Sequence, residues 1–221
     1  MTEMQFDNSL KQELIKKNVW NEHCPVSLHR IKLLNIDYIN FSGEECSGQI
    51  MVFDVVADNV VKIFAKLKQI KFPIAKIKLI NEYNANDEES MADNNSSSFC
   101  CRVIKDTDLY SIHSYGMAID VNPLQNPIIY NDQNPHLVLP VGGEEYLDRS
   151  SISPGMITRD VVEIFKIHGF TVWGGAWKKP VDYHHFNVPR NVCERLAAMG
   201  YDEGVAFWED YLNSKIKAGE F

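Results

Sequence analysis

The 221-residue sequence has no long apolar run and few cations, and each absence excludes a class of protein. No stretch approaches the roughly 20 apolar residues that a helix needs to span a bilayer. The 22 Lys and Arg residues are outnumbered by 30 Asp and Glu residues, which gives a net charge of -8. Nucleic acids and anionic lipid surfaces are both bound largely through cations. We therefore expect no transmembrane segment, no nucleic-acid partner and no adhesion to anionic lipid.

The cysteines show no zinc-binding pattern. The five cysteines are an odd number, and none belongs to a CxxC pair of the kind that binds zinc. Cys100 and Cys101 are neighbours and would point to opposite faces of a strand. We expect mostly buried free thiols.

Apolar periodicity predicts an α+β fold in one continuous domain, with several antiparallel strands and with helices at the ends. The predicted helices are residues 8–17, 58–71, 158–168, 191–199 and 203–217. The predicted strands are residues 33–41, 48–55, 74–80, 99–105, 117–122, 170–173 and 185–188. Turn residues separate the first two strands, so we expect them to form a hairpin. The apolar stripe of the second helix consists of Val60, Ile63, Phe64, Leu67 and Ile70.

Two segments lack this regular pattern. Residues 82–98 are polar and acidic, which predicts a solvated surface loop, and a long loop of this kind often carries function. It would then form one rim of a binding cleft. Residues 123–155 hold five of the nine prolines and are expected to be irregular.

Three of the seven histidines lie in two segments with unusual chemistry. The first segment, SIHSYGMAIDVNP (residues 111–123), holds His113 and Asp120 seven residues apart. An acidic side chain inside an apolar strand is costly unless it is paired or binds a metal, and both interpretations fit this segment. Four other histidines have no acidic or histidine partner at a ligand-like spacing, which predicts surface or packing roles: His23, His29, His136 and His168.

The second segment, WGGAWKKPVDYHHFNV (residues 173–188), supplies Asp182, His184 and His185. Two imidazoles and one carboxylate are suitable zinc ligands that leave a fourth position for water. Neighbouring residues on a strand face opposite sides, so only one of the two histidines can face a given site. Residues 178–180 predict a loop, from which Asp182 could swing over the site. Together the two segments favour a metal centre.

The two segments resemble the D-alanyl-D-alanine carboxypeptidase family of zinc peptidases, which shares a fold with lysostaphin and the hedgehog signalling domain. The family pattern is S-x-H-x-x-G-x-A-x-D, followed by G-G-x-W and then by D-x-x-H-F. The matching residues are Ser111, His113, Gly116, Ala118, Asp120, Gly174, Gly175, Trp177, Asp182, His185 and Phe186. Upstream, SMADNNSSSFCCR (residues 90–102) is similar to one bacterial branch. The resemblance covers roughly residues 20–190.

The resemblance implies a role for each matching residue. The zinc ligands would be His113, Asp120 and His185, held by an antiparallel sheet with helices packed at the ends and on one face. Asp182 would be the catalytic acidic residue. Arg102 would contact the substrate and polarise its carbonyl. Ser111 and Trp177 would bind substrate, the latter as part of the cleft wall. Two positions depart from relatives: His184 stands where Met or Gln is usual, and Asn187 where some relatives have Glu.

The same resemblance implies a reaction, namely hydrolysis of a peptide bond by attack of a zinc-bound water. Asp182 would accept the proton of the water and return it to the leaving amine, while Arg102 would stabilise the oxyanion. The implied substrate is the stem peptide of bacterial peptidoglycan. We expect a D-Ala-D-Ala carboxypeptidase.

Three alternatives stay open. The first is an L-Ala-D-Glu endopeptidase, like the phage endolysins of the same family. The second is a catalytically silent zinc-containing module that binds the stem peptide, as the hedgehog signalling domain is mainly a binding module. The third is a metal-free fold with a buried Asp–His pair. Asp182 and Arg102 are both present, which favours the active hydrolase.

The family implies a periplasmic or extracellular protein, whereas the first 20 residues lack the basic stretch and apolar run of a secretory signal. We therefore expect a leader that has been removed or an unconventional route of export. We also expect a monomer with one zinc peptidase domain at residues 1–221, a core at roughly 20–190 and closing helices at 191–217. Because the chain is acidic, capture of an anionic stem depends on local groups such as Arg102.

Overall fold

The computed structural model describes residues 7–132 and 134–217. The α-helices are α1 (Asn8–Lys16), α2 (Ala57–Gln69), α3 (Asp87–Ala92), α4 (Arg159–Ile167), α5 (Arg190–Ala198) and α6 (Tyr201–Lys217). The strands are β1 (Ile31–Ile39), β2 (Glu45–Phe53), β3 (Lys76–Ile77), β4 (Asn95–Ser96), β5 (Ala118–Asp120), β6 (Ile128–Tyr130), β7 (Leu137–Leu139), β8 (Val172–Trp173), β9 (Val181–Asp182) and β10 (His185–Asn187). The mixture of helices and antiparallel sheets confirms the predicted α+β fold.

The strands form small sheets rather than one large one. β1 and β2 pair antiparallel over their full length, which confirms the predicted hairpin. β10 lies between β5 and β8, and β6 lies between β7 and β9, all antiparallel. The pair β3–β4 is parallel. The motif segments supply β5, β8, β9 and β10, so two of these sheets carry the candidate site.

The core lies between the hairpin and the helices α2 and α4. Helix α2 buries Val60, Ile63, Phe64 and Leu67, as the apolar spacing predicted. Ile70 was also assigned to this stripe, but it follows the last helical residue and is 50% exposed. On the other side of the core, Phe165 of α4 stacks on Phe186 of β10 with ring centroids 3.8 Å apart. Burying a side chain of this size contributes about 1.5–3 kcal/mol, so this contact fixes β10 against α4.

Two strand predictions are wrong: one strand is absent and the other is much shorter than predicted. Residues 99–105 form no strand, because their backbone groups bond to separate parts of the chain: the N–H of Phe99 donates to Met51 O and that of Cys101 to Val19 O. In the predicted strand 74–80, only Lys76–Ile77 pairs as a strand. The backbone of this region is extended but has no continuous partner.

Residues 82–98 are not the solvated loop that their polar composition predicted. They contain α3 and β4, and they bury Ser90, Asn95 and Ser96. Their polar groups satisfy one another, since Asn95 Nδ2 donates to Ser90 Oγ and to Lys78 O. Buried polar groups are tolerated when they are hydrogen-bonded in this way. The excursion at residues 123–155 is likewise more regular than expected, because it contains β6 and β7.

The cysteines are a second correction. Cys24 and Cys101 form a disulfide across 77 residues of sequence, where free thiols were expected. Cys100 and Cys193 are buried free thiols, as expected, and Cys46 is half-buried. The disulfide ties the segment after α1 to the residue that precedes Arg102. Within the described residues, no helix is both long and apolar enough to cross a bilayer.

Candidate metal centre

A short 3₁₀ turn, Ile112–Tyr115, positions His113. Ser111 begins the turn, and its Oγ accepts a hydrogen bond from the backbone N–H of His113 at 3.3 Å. Gly116 ends the turn with a φ of +68°. A Cβ at Gly116 would lie 2.7 Å from the backbone nitrogen of Phe53, so only glycine fits this position without a shift of the backbone. The S-x-H-x-x-G spacing is thus that of a capped, tightly packed turn.

The register of two strands brings Asp120 and His185 together. Asp120 of β5 lies directly opposite His185 of β10, and Ile119 lies opposite Phe186. Because side chains alternate along a strand, Ile119 and Phe186 enter the core, whereas Asp120 and His185 lie on the other face. His184 precedes β10, and strand alternation does not turn it away from the site: its Nε2 lies 4.0 Å from Asp120 Oδ2.

Three ligand-type atoms converge at this place. His113 Nε2 lies 3.2 Å from Asp120 Oδ2, and His185 Nδ1 lies 2.9 Å from Asp120 Oδ1. The two imidazole nitrogens, His113 Nε2 and His185 Nδ1, are 3.2 Å apart. Ligands of a tetrahedral zinc ion at 2.0–2.1 Å are about 3.3 Å from one another. His113, Asp120 and His185 are the only described group of three or more His, Cys, Asp or Glu residues with such spacing.

The outer nitrogen of each imidazole faces a hydrogen-bond acceptor. His113 Nδ1 lies 2.6 Å from the carbonyl oxygen of Ser98, so it donates. His185 Nε2 lies 3.0 Å from Asn187 Oδ1, and the amide is oriented by its Nδ2, which donates to Val188 O at 2.6 Å. In the neutral imidazoles, both inner nitrogens therefore present lone pairs beside the Asp120 carboxylate. This donor set fits a divalent metal ion.

The charges of the cluster stabilise one another. Burial raises the pKa of Asp120, but the neighbouring His113 and His184 and the hydrogen bonds from the imidazoles outweigh it, and the pKa lies well below its usual range. Burial lowers the pKa of His185, but Asp120 outweighs it and raises the pKa. The structure brings the three predicted ligands together, and their binding of a metal stays a prediction.

Asp182 lies on a strand and not on the swinging loop that the sequence suggested. It belongs to β9, where it pairs with Ile128 of β6. A Cβ at Gly174 would lie 2.5 Å from the backbone oxygen of Asp182, so the glycine allows the two backbones to approach closely. Asp182 is 7% exposed. Its position is therefore fixed before any substrate arrives.

The environment of Asp182 makes its carboxylate more basic than that of an exposed aspartate. Burial raises the pKa of Asp182 above its ordinary value, the nearby Asp120 adds to this, and the histidines His184, His185 and His113 oppose it. His184 Nε2 lies 3.1 Å from Asp182 Oδ1, and its Nδ1 lies 2.8 Å from Asn126 O. Asp182 Oδ1 is buried without a hydrogen bond. A buried carboxyl group with a raised pKa is suited to general acid–base chemistry.

Arg102 lies beside the cluster and is held at both ends. Its backbone N–H donates to Ser114 Oγ at 2.9 Å, and its carbonyl accepts from the N–H of Ser111 at 2.9 Å. Its Nε donates to Asp87 Oδ2 of α3. Burial lowers the pKa of Arg102, but Asp87 outweighs it with help from Asp120. Arg102 Nη1 is buried and has no hydrogen-bond partner.

The remaining predicted residues have different surroundings. Trp177 is 37% exposed, and its ring centroid lies 5.3 Å from that of His185, so it stands at the mouth of the cluster. Ser111 is buried in the turn that it caps, and its predicted contact with substrate stays a prediction. Of the histidines assigned to other roles, three are exposed and one is half-buried, and none belongs to the described cluster: His23, His29, His136 and His168.

Sequence reasoning missed several residues of the site. Asp87 and the carbonyl of Ser98 both come from the segment that was assigned to a solvated loop. Ser114 lies inside the first motif, but its contact with the backbone of Arg102 needs the folded turn. The acidic run at residues 87–89 was a visible signal, yet nothing in its spacing indicates Arg102 as its partner.

Comparison with known families gives one match. Residues 105–188 match the family model described as D-alanyl-D-alanine carboxypeptidase. The matched segment includes His113, Asp120, Asp182 and His185, while Arg102 lies just before it. No match was found among curated proteins or among solved structures. Over residues 105–188 this chain therefore matches the family that the motifs indicated, and the match supports a peptidase.

Proposed function

We propose that the protein is a zinc-dependent peptidase that cleaves the stem peptide of bacterial peptidoglycan, with the terminal D-Ala-D-Ala bond as its target. One observation carries the proposal: His113 Nε2, His185 Nδ1 and the Asp120 carboxylate converge within 3.2 Å of one another, and the outer nitrogen of each imidazole faces an acceptor. That arrangement leaves three lone pairs directed at one point. It is the chemistry of a metal centre with an open position.

The three residues would hold one zinc ion. A bound zinc ion polarises a carbonyl group and lowers the pKa of water to about 7. Ser98 and Asn187 fix the ring orientations, so the ligands are preorganised. The Asp120 carboxylate offsets one of the two positive charges of the ion.

Asp182 would move the proton of the reaction. Burial and the neighbouring Asp120 raise the pKa of Asp182, so this carboxyl group takes up a proton more readily than an exposed one. It would accept the proton of the attacking water and donate it to the amine that leaves. Its fixed place on β9 supports this role, because proton transfer needs hydrogen-bond distance.

Arg102 and Trp177 would contact the peptide. The unpartnered Nη1 of Arg102 is a donor without an acceptor in the protein, which suits an oxygen that gains negative charge. The exposed face of Trp177 beside His185 would pack on the stem peptide near the scissile bond. Ser111 would contribute through its control of the His113 turn.

A second candidate is the L-Ala-D-Glu endopeptidase, and the pairing of Arg102 with Asp87 favours it. A carboxypeptidase must recognise a free terminal carboxylate, which arginine binds best with two parallel N–H groups. Asp87 occupies the Nε–H of Arg102, so the edge of the guanidinium that includes Nε is closed to a substrate carboxylate. An internal peptide bond presents only a neutral carbonyl and needs no such clamp.

We also propose that the protein works outside the cytoplasm. The Cys24–Cys101 disulfide supports this, because disulfides form and persist in oxidising compartments. Peptidoglycan lies in such a compartment, so the proposed substrate and the disulfide agree.

The test is digestion of purified muropeptides by zinc-loaded protein, with products identified by mass spectrometry. Loss of one terminal alanine identifies the carboxypeptidase, and release of the stem from its first alanine identifies the endopeptidase. Chelator-treated protein, from which zinc has been dialysed, should be inactive. Zinc-loaded protein that binds muropeptides but leaves them intact would instead indicate the silent binding module.

A further inference from the structure

The guanidinium of Arg102 has two unlike sides in this structure. On one side, Nε donates to Asp87 Oδ2, a residue at the start of α3. On the other side, Nη1 is buried and has no partner. A buried donor without an acceptor destabilises the folded protein. A ligand that supplies the missing acceptor would explain why the protein retains this donor.

Arg102 is bonded to the turn that carries His113, because its N–H donates to Ser114 Oγ and its carbonyl accepts from the N–H of Ser111. Asp120 acts on the charge of Arg102, and it is the carboxylate at the centre of the cluster. Burial and the carboxylates of Asp182, Glu88 and Asp87 raise the pKa of Tyr130, while Arg102 lowers it. Tyr130 is therefore within electrostatic reach of Asp182, Asp87 and Arg102.

Arg102 would behave differently without Asp87. A long, flexible side chain beside the buried carboxylates Asp120 and Asp182 is attracted to both of them. Its backbone is already fixed by hydrogen bonds to Ser111 and Ser114, so only the side chain with its guanidinium is left to move. The Asp87 carboxylate holds that part on the α3 side and keeps its charge balanced.

We propose that Asp87 is a positioning residue, which holds Arg102 by Nε so that Nη1 is presented to the carbonyl oxygen of the bond being cleaved. The inference rests on the proposed peptidase function and adds a residue to it. It also gives a role to the polar segment at residues 82–98, because α3 holds Arg102 through this ion pair. Asp87 itself touches no substrate.

The test is a double-mutant cycle on the zinc-loaded protein with the stem peptide that it cleaves. Arg102→Ala should lower kcat by on the order of 10²–10³, which is the usual loss for one oxyanion donor. Asp87→Ala should lower kcat about 10–100-fold with little change in KM. A misplaced Arg102 donor still stabilises the oxyanion in part, so the loss is smaller than when the donor is removed. The double variant should be no slower than Arg102→Ala alone, since Asp87 acts only through Arg102.

Two further variants separate positioning from folding. Asp87→Glu should recover much of the rate, because it restores a carboxylate to Arg102. Glu89→Ala is the matched control, since Glu89 is an exposed acid of α3 whose Oε1 accepts a hydrogen bond from Asn86, and it should keep the wild-type rate. Wild-type activity in Asp87→Ala, or losses that multiply in the double variant, would overturn the inference.

A readout without turnover keeps this test independent of the proposed function. If no stem peptide is cleaved by the wild type, the proposed function fails while the ion pair is still measurable. The Nε–H proton of Arg102, followed by nuclear magnetic resonance, should exchange slowly with water in the wild type and in Glu89→Ala. It should exchange markedly faster in Asp87→Ala. Equal exchange rates in the wild type and Asp87→Ala would refute the role of Asp87.

Discussion

His113 Nε2 and His185 Nδ1 lie 3.2 Å apart, and each ring directs its other nitrogen at an acceptor. Two neutral imidazoles in this arrangement cannot bond to each other, because both inner nitrogens are acceptors. A cation between them and Asp120 resolves the conflict. In the proposed enzyme that cation is a zinc ion.

Asp182 is expected to be essential for turnover and dispensable for metal binding. Asp182→Asn keeps the shape of the side chain and removes its ability to carry a proton, so kcat should fall by on the order of 10²–10⁴. The zinc content of the variant should equal that of the wild type, measured by elemental analysis. An Asp182→Asn protein with bound zinc and full activity would refute the acid–base role.

Asn187 is expected to control zinc affinity without touching the ion. Its Oδ1 accepts from His185 Nε2 and thereby leaves Nδ1 free. Asn187→Ala should weaken zinc binding about 10–100-fold, the usual effect of removing an outer partner of a ligand. Competition with a chromophoric chelator measures this. Asn187→Asp should retain the affinity, as should the surface control Asn35→Ala, and unchanged affinity in Asn187→Ala would contradict the assignment.

The Cys24–Cys101 disulfide is expected to stabilise the fold substantially. It closes a loop across 77 residues of sequence, and removal of a native disulfide typically costs about 2–5 kcal/mol. The double variant Cys24→Ser/Cys101→Ser should lose that much free energy of unfolding in urea titrations. Cys46→Ser, which alters a half-buried free thiol, is the control. Equal stability of the wild type and the double variant would show that the bond is absent or irrelevant.

Asp93 directly follows α3 and ties the end of this helix to Lys76 and Tyr83. We expect it to make the attachment of α3 sensitive to acid. Burial raises the pKa of Asp93, but hydrogen bonds from Lys76 and Tyr83 outweigh it and lower the pKa. A carboxylate with a lowered pKa in the folded state adds stability above its unfolded pKa of about 3.9 and loses it as the pH falls through the folded value.

Urea titrations at neutral pH and below about pH 4 measure this contribution. Asp93→Asn should be less stable than the wild type at neutral pH, and the difference should shrink in acid. Asp108→Asn, at an exposed position, should differ little from the wild type at either pH. A difference between Asp93→Asn and the wild type that stays constant with pH would contradict the assignment.

The parts of the site that follow strand alternation could be predicted from the sequence. Asp120 and His185 lie in short apolar strands, where one acidic or imidazole side chain among apolar ones indicates a site. The choice of His185 over His184 rested on the family pattern, and the register of β5 and β10 places His185 beside Asp120. The hairpin and α2 were predictable because their periodicity is local.

The other parts depend on contacts between distant segments. Cys24 and Cys101 are 77 residues apart, and cysteine pairing cannot be deduced from spacing alone. The composition of residues 82–98 predicted a solvated loop, yet reciprocal hydrogen bonds such as that from Asn95 to Ser90 allow them to be buried. Asp87 and Ser98 could not be assigned to the site, because their contacts with Arg102 and His113 exist only in the folded chain.

The central claim is that His113, Asp120 and His185 hold one zinc ion, and its most direct test is the zinc content of the purified protein after equilibrium dialysis. The account predicts about one zinc ion per chain for the wild type and almost none for Asp120→Ala, which removes the carboxylate at the centre of the cluster. Circular dichroism of the variant should show that the helices persist. A wild type without zinc, or an Asp120→Ala protein that binds as much zinc as the wild type, would contradict the account.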